Sequence, residues 1–353
     1  MNFNNPKQKE RPRPVSNGMK ILITTGIYPP KFGGPAQYAK NLKDQFEKMR
    51  NVVVVKTFTV EDYLPTGLRH LYFFLKILPT VLASDIIIAL DTFSVGLPSV
   101  AAATLFNKKI IIRTGGDFLW EQYVERTNKK VLFKDFYTKE KNHFSIKENI
   151  IYILTSWTLR RASFVVFSTE WQRDIFLSAY NLNGGKTGII ENYYGEKEGD
   201  VDSSEPDFVA STRDLVWKNL DILRRVFDTI QMKNPNVQLY TRNTNFLDFM
   251  NVIKNSYAVI LVSLGDISPN LILDAIRYNR PFICTKEVGI LNRIKDVGIF
   301  VDPLDEREIE LAVLKLLDKD EYEKAREKVR QFSFVHTWQQ VAQEFVVVYT
   351  SLK

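Results

Sequence analysis

The apolar residues of the first half of the chain fall in short, unbroken runs. Lys20-Ile21-Leu22-Ile23-Thr24, 52–57, Asp85-Ile86-Ile87-Ile88-Ala89-Leu90, Lys109-Ile110-Ile111-Ile112-Arg113 and Phe164-Val165-Val166-Phe167 are apolar at nearly every position. A strand with one wet face alternates apolar and polar residues. Continuous β-branched runs instead mark strands covered on both faces, as in a parallel sheet. The first run ends in a Gly/Pro loop at 26–34 and passes into a helical pattern from Ala36; the fourth ends in Gly115-Gly116. A helical pattern reaching Phe106 follows the third run. Strands that alternate with helices predict a doubly wound domain.

A polar stretch, Gly195 to Pro206, reads as a linker, and a second alternation follows it. Strands are expected at 207–211, 237–241, 258–263, 281–284 and 299–301, helices at 218–230 and 269–278, and a helical tail from Glu306. The chain is thus expected to be α/β, with a disordered leader at 1–18 and a first domain at 19–194. A second domain follows at 195–335, and a last helix at 336–353 packs back on the first. Two similar domains imply a cleft between them. Between Thr241 and Ala258 there is room for one helix only, so the second domain should be short.

Composition narrows the class. A length of 353 residues suits two domains, and 45% hydrophobic with 25% charged residues is ordinary for a globular protein. The net charge of +7 suits anionic small molecules, an anionic membrane surface or nucleic acid, and equally a merely soluble surface. The single cysteine, Cys284, allows neither an internal disulfide nor a Cys/His metal site and fits a reducing cytoplasm. No segment approaches the ~20 apolar residues of a membrane span.

Two loops carry candidate chemistry. In Ser263-Leu264-Gly265-Asp266-Ile267-Ser268-Pro269-Asn270-Leu271-Ile272-Leu273-Asp274, a strand feeds a helix and two carboxylates stand seven residues apart. The helix start offers free N–H groups and a positive dipole to an anion. A carboxylate further along accepts hydrogen bonds from a ribose diol. The alternative is that both aspartates are simply solvated. In the loop 208–219, Arg213 and Lys218 are two cations at the carboxyl end of a strand, suited to a diphosphate.

With these residues in place, the chain resembles a family 4 glycosyltransferase of the retaining GT-B kind. Gly33-Gly34 match that family's glycine loop, Arg213 and Lys218 its cation pair, Asn192 its turn before the linker, and Asp266 and Asp274 its two spaced acids, both shortened from Glu. The resemblance implies two Rossmann-like domains and a UDP- or GDP-sugar donor. The acceptor would be a glycan or a lipid-linked molecule in envelope polysaccharide or glycoconjugate synthesis. It further implies that Arg213 and Lys218 hold the diphosphate, Asp274 the ribose and Asp266 the transferred sugar, with Ile267, Ser268, Pro269 and Asn270 facing the donor. The family's histidine beyond the fourth strand is missing; Asp117 is the candidate for its place, or else a helix N-cap. With no Asp-x-Asp at a strand end, neither metal nor other cofactor is expected. A nucleotide-sugar epimerase and a non-catalytic sugar-nucleotide or glycan-binding relic are the rival readings.

Two further stretches stand out. Leu68, Leu71, Leu75, Leu78 and Leu82 form one helical stripe within 66–83, with Phe73, Phe74 and Ile77 off it and Arg69 and Lys76 alongside. Such a helix either lies on an anionic bilayer as a peripheral contact or is buried on two sides. The basic, aromatic segment 126–147 reads as a solvated insertion or a mobile acceptor-side element. No nucleic-acid module accompanies it, and no nucleic acid is expected as a partner.

Overall fold

The computed structural model describes residues 18–31, 33–58, 62–199, 201, 205–211, 213–242 and 244–352. The expected leader therefore lies outside the described residues, except for Gly18. In the first half, strands β1 (Lys20–Thr25), β2 (Val52–Thr57), β3 (Ile86–Ala89), β4 (Lys109–Arg113), β5 (Phe164–Phe167) and β6 (Thr187–Ile189) form a parallel sheet in the order β2-β1-β3-β4-β5-β6. Its helices are α1 (Gly34–Lys48), α2 (Leu68–Ala83), α3 (Gly96–Leu105), α4 (Phe118–Thr127), α5 (Phe136–Lys139), α6 (Ile146–Arg161) and α7 (Glu170–Tyr180).

The second half repeats the plan. Strands β7 (Asp207–Val209), β8 (Gln238–Tyr240), β9 (Ala258–Leu261), β10 (Phe282–Thr285) and β11 (Ile299–Val301) form a parallel sheet in the order β11-β10-β9-β7-β8. Its helices are α8 (Leu220–Gln231), α9 (Phe246–Asn255), α10 (Asn270–Arg277), α11 (Leu291–Ile294), α12 (Glu306–Leu317) and α13 (Lys319–Gln331); α14 (Trp338–Ser351) ends the described chain. As expected, only α9 lies between β8 and β9, which leaves β8 as the edge of the sheet.

Apart from 52–57, which forms the part-exposed edge strand β2, the unbroken runs are buried on both faces. Leu22, Ile87, Ile110, Ile112, Val165 and Phe167 point to one core, closed by α2, α3, α6 and α7. The intervening Ile21, Ile23, Ile86, Ile88, Ile111 and Val166 point to the opposite core, closed by α1 and α14. Helix α14 contributes Val341, Ala342, Phe345 and Tyr349 there, so the last helix of the chain completes the first domain. An antiparallel bridge between Tyr194 and His336 holds together the two places where the chain crosses between domains.

Three expectations need correction. Strand β6 is absent from the sequence reading because Thr187-Gly188-Ile189 is too short to show a pattern, and it exists through its pairing with β5. On α2 the buried residues are Phe73, Ile77 and Val81, whereas Leu68, Leu71, Leu75 and Leu82 are exposed, so the core faces the residues set aside from the leucine stripe. The segment 126–147 is no solvated insertion. Phe133, Phe136, Tyr137 and Phe144 are buried in the first core, and Arg126 makes a two-pronged ion pair with the buried Glu148.

If α14 is structural for the first domain, Phe345→Ala, at a position 1% exposed, should destabilise it by about 3–5 kcal/mol. Urea denaturation followed by tryptophan fluorescence would read this as a lower transition midpoint.

Candidate functional site

In parallel sheets, ligands bind beyond the carboxyl ends of the strands. Here the loops after β1, β4, β7 and β9 leave those ends. The loop after β7 tightens into a helical turn at Val216–Lys218 that stops at Asn219, whose φ of 60° is one of the few left-handed conformations a non-glycine side chain accepts. The buried Asn219 amide donates to the carbonyls of Val262, at 3.1 Å, and Pro303, at 2.6 Å. This fixes the β7 loop to the β9 loop and aims Lys218 at the latter.

Lys218 Nζ lies 2.8 Å from Asp266 Oδ2, and the side chains are only 10% and 14% exposed. The ammonium also sits 4.1 Å from the centre of the Trp217 ring. Asp266 is held from behind, where its N–H donates to the Glu287 carbonyl and its carbonyl accepts from Gly289. The β9 loop then reaches α10, which Pro269 precedes as N-cap. Asp274 lies in α10 with its carboxyl raised to about 6, chiefly by burial. Arg213 is exposed, with no ion-pair partner among the described residues. Ser263 and Ser268, on the same loop, have buried hydroxyl oxygens without a hydrogen-bond partner among the described residues. Across the gap, Gly33 caps α1 and a Cβ on Gly34 would lie 3.7 Å from Asn270 Nδ2, so the glycine loop of the first domain faces the start of α10 in the second.

The structure places the other two expected residues differently. Asp117 is buried at the N-cap of α4: Oδ1 accepts from the Trp120 N–H at 3.0 Å and Oδ2 from the Tyr137 hydroxyl at 2.5 Å. Asn192 accepts from Arg113 at 2.6 Å beyond β4, and its carbonyl meets His336 Nδ1 at 3.0 Å. It is therefore engaged with the domain crossing rather than with Lys218 and Asp266.

A residue the sequence reading passed over, Glu121, comes forward instead. One turn into α4 from Asp117, its Oε1 lies against Gly116, so closely that a Cβ there would stand 2.3 Å away. Its carboxyl is raised to about 7, first by burial and then by the like charge of Asp117, while Lys218 and Arg213 pull the other way. The first domain therefore presents a half-buried carboxyl to the cation pair of the second. Nothing in sequence marks Glu121 apart from any helical glutamate; only the packing of the two domains brings it there.

That packing is tight. Trp120 and Trp217, from opposite domains, have ring centres 5.7 Å apart, with Phe133 5.2 Å from Trp120. The Phe133 N–H donates to the Leu264 carbonyl at 3.1 Å, and a Cβ on Gly265 would stand 2.4 Å from that of Phe133. Only glycine allows this approach. Lys130 pairs with Asp221 at 2.6 Å, and Lys134 with Glu287, along the same seam.

No protein-family model and no curated protein sequence matches the chain. Solved structures do. HepE of Anabaena, determined in complex with UDP, superposes with a TM-score of 0.63 at 14% identity over 94% of this chain and all of that one. Sucrose-phosphate synthase from Thermosynechococcus elongatus gives 0.65 at 12% identity over 95% and 99% of the two chains. The lipopolysaccharide outer core galactosyltransferase WaaB gives 0.62 at 15% over 94% and 99%. The chain has the GT-B fold: two Rossmann-like domains facing one another.

The raised Glu121 carboxyl has a signature in stability. A carboxyl at about 7 in the folded state and near 4.5 when unfolded keeps its proton on folding, so stability is full below 4.5 and falls as pH rises toward 7. Glu121→Gln should remove that slope and be more stable than the parent at pH 8 by roughly 2–3 kcal/mol, allowing for partial exposure. Denaturation of both proteins from pH 5 to 8 checks this, and parallel curves would remove the assignment.

Proposed function

We propose that the protein is a retaining glycosyltransferase that takes a sugar from a nucleotide-sugar donor, UDP- or GDP-linked, and passes it to a glycan or lipid-linked acceptor. The observation that carries this reading is the Lys218–Asp266 pair at the mouth of α10, with Arg213 on the same loop as Lys218. A diphosphate arriving there meets two cations and the free N–H groups of a helix start, and needs no metal to balance its charge. It draws Lys218 away from Asp266 and frees that carboxylate for the hydroxyls of the sugar. The Ser268 hydroxyl gains the partner it otherwise lacks. Asp274, still ionised above about pH 6, accepts from the ribose hydroxyls. The complexes of HepE with UDP and with UDP-glucose favour uridine for the base.

On this reading the bond between the sugar's anomeric carbon and the phosphate oxygen breaks while the acceptor oxygen approaches the same face. The acceptor's proton passes to the departing phosphate. Glu121, which holds its proton up to about pH 7, donates a hydrogen bond in that form to a sugar hydroxyl from the first-domain side. Asp117 acts through its hold on the start of α4, which positions Glu121. The acceptor lies against the first domain, and the products serve envelope polysaccharide or glycoconjugate synthesis.

Isothermal titration calorimetry with UDP and GDP tests the diphosphate site. Arg213→Ala and Lys218→Ala should each weaken binding of the preferred nucleotide by about 1.5–3 kcal/mol, the usual worth of a hydrogen bond to a charged group. Asp266→Asn should keep or raise nucleotide affinity, because Lys218 loses its competing partner, and should lower turnover, separating the sugar contact from the phosphate contact. Unchanged affinity in both cation variants, with the fold retained, contradicts the proposal.

A further inference from the structure

The solvent side of the first domain's α2, α3 and α6 carries a surface that the donor cleft does not explain. Helix α3 packs between α2 and α6 over one face of the sheet. On α2, Leu68, Leu71, Leu75 and Leu82 are each 55–58% exposed, although the helix already buries Phe73, Ile77 and Val81 beneath. On α6, Ile146, Ile150, Ile153 and Trp157 follow one another at helical spacing, the three isoleucines 52–83% exposed, while Ile151, Thr155 and Leu159 fill the core side. Both helices are thus apolar on two faces, and only one face is used by the fold. Large side chains left in water at that spacing form an exposed apolar stripe on each of the two helices, one on either side of α3, rather than scattered exposure.

Charge selects the occupant. The three helices hold five cations, Arg69, Lys76, Lys147, Arg160 and Arg161, and a single carboxylate, Glu148. That carboxylate is turned inward to Arg126 and does not meet the surface. Asp62, on the loop before α2, pairs with Arg69 at 3.7 Å and is the one acid seen at its start. A protein partner would be recognised by mixed charge and specific polar contacts around the rim. Apolar stripes flanked by cations, with Asp62 paired to Arg69 as the outward acid among the described residues at the start of α2, match an anionic lipid surface.

We infer that the outer face of α2, α3 and α6 docks on an anionic phospholipid bilayer. On the transferase reading, on which this part alone rests, the bilayer presents a lipid-anchored acceptor. The helices begin at the carboxyl ends of the strands, so Leu68, Leu71, Ile146 and Ile150 lie at the cleft edge of the face. A docked bilayer then borders the opening of the cleft. No helix among the described residues is long and apolar enough to cross a membrane, so the contact is peripheral.

Cosedimentation of the full chain with phosphatidylglycerol–phosphatidylcholine vesicles, against phosphatidylcholine alone, tests the docking. The protein should pellet with the mixed vesicles, and binding should fall as salt is raised. Ile150→Ser/Ile153→Ser, and separately Leu71→Ser/Leu75→Ser, should each lower partitioning by at least about tenfold. Lys147→Gln/Arg161→Gln should lower it by a similar factor on the mixed vesicles. These positions are exposed, so thermal unfolding and UDP affinity should stay at parental values in all three. Equal binding to both vesicle types, no binding, or partitioning unaffected by both apolar variants overturns the inference. So does a self-associated species that the Ile150→Ser/Ile153→Ser variant renders monomeric, because a second copy then covers the face. Vesicle binding without any nucleotide binding would leave the docking in place and refute the transferase reading alone.

Discussion

The structure turns on an ion pair placed where it costs most. Lys218 and Asp266 are both nearly buried, 2.8 Å apart, with Trp217 beneath the ammonium. Removing two charges from water costs several kcal/mol per ion, and their mutual attraction rarely returns more than that. A pair of apolar side chains would fill the same space at no loss of stability. What the ionic pair provides is a cation held in place, with its neutralising partner close enough to be exchanged. The surroundings serve that end: Asn219 ties the β7 loop to the β9 loop, and the β-bridge from Asp266 to Val288 fixes the carboxylate from behind.

The same pair sits on the seam between domains. Trp217 and Leu264, both from the second domain, are buried within the core cluster of the first. Around them Trp120, Phe133 and Gly265 pack at contact distance, and Lys130 and Lys134 pin the segment before α5 to the second domain. The segment that reads as a loose basic insertion is thus the strap of the cleft. Its aromatic residues are apolar anchors, and two of its lysines, Lys130 and Lys134, pair with acids across the seam. The geometry that brings Glu121 toward Lys218 and Arg213 is a product of this seam and would relax with it.

How much of this was legible in the sequence follows from what each signal depends on. Isoleucine runs such as Ile86-Ile87-Ile88 and Ile110-Ile111-Ile112 announce two-faced burial locally, and β3 and β4 lie where the runs do. The strand-to-helix loops bearing Arg213, Lys218, Asp266 and Asp274 follow from the same local reading, and the fold sets them at one end of one sheet. The direction in which α2 faces was not legible: Leu, Phe and Ile occur all round it, so periodicity cannot say which stripe the core takes. Neither was Glu121: Asp117 beside it is local, but the opposing cations, Arg213 and Lys218, stand 90 or more positions away in sequence. Asp117 could be read two ways from its place before a helix, and its hydrogen bonds to Trp120 and Tyr137 show the capping arrangement.

The central claim is that this cleft breaks the bond between an α-linked sugar and a nucleoside diphosphate and delivers the sugar on the same face. Proton NMR of the slow hydrolysis of α-linked UDP- and GDP-sugars, with water as acceptor and EDTA present, tests it without knowledge of the natural acceptor. The account predicts release of the nucleoside diphosphate with the α anomer as the first-formed sugar, before mutarotation. A β anomer appearing first, or a reaction that stops in EDTA and resumes with added Mg²⁺, would contradict it.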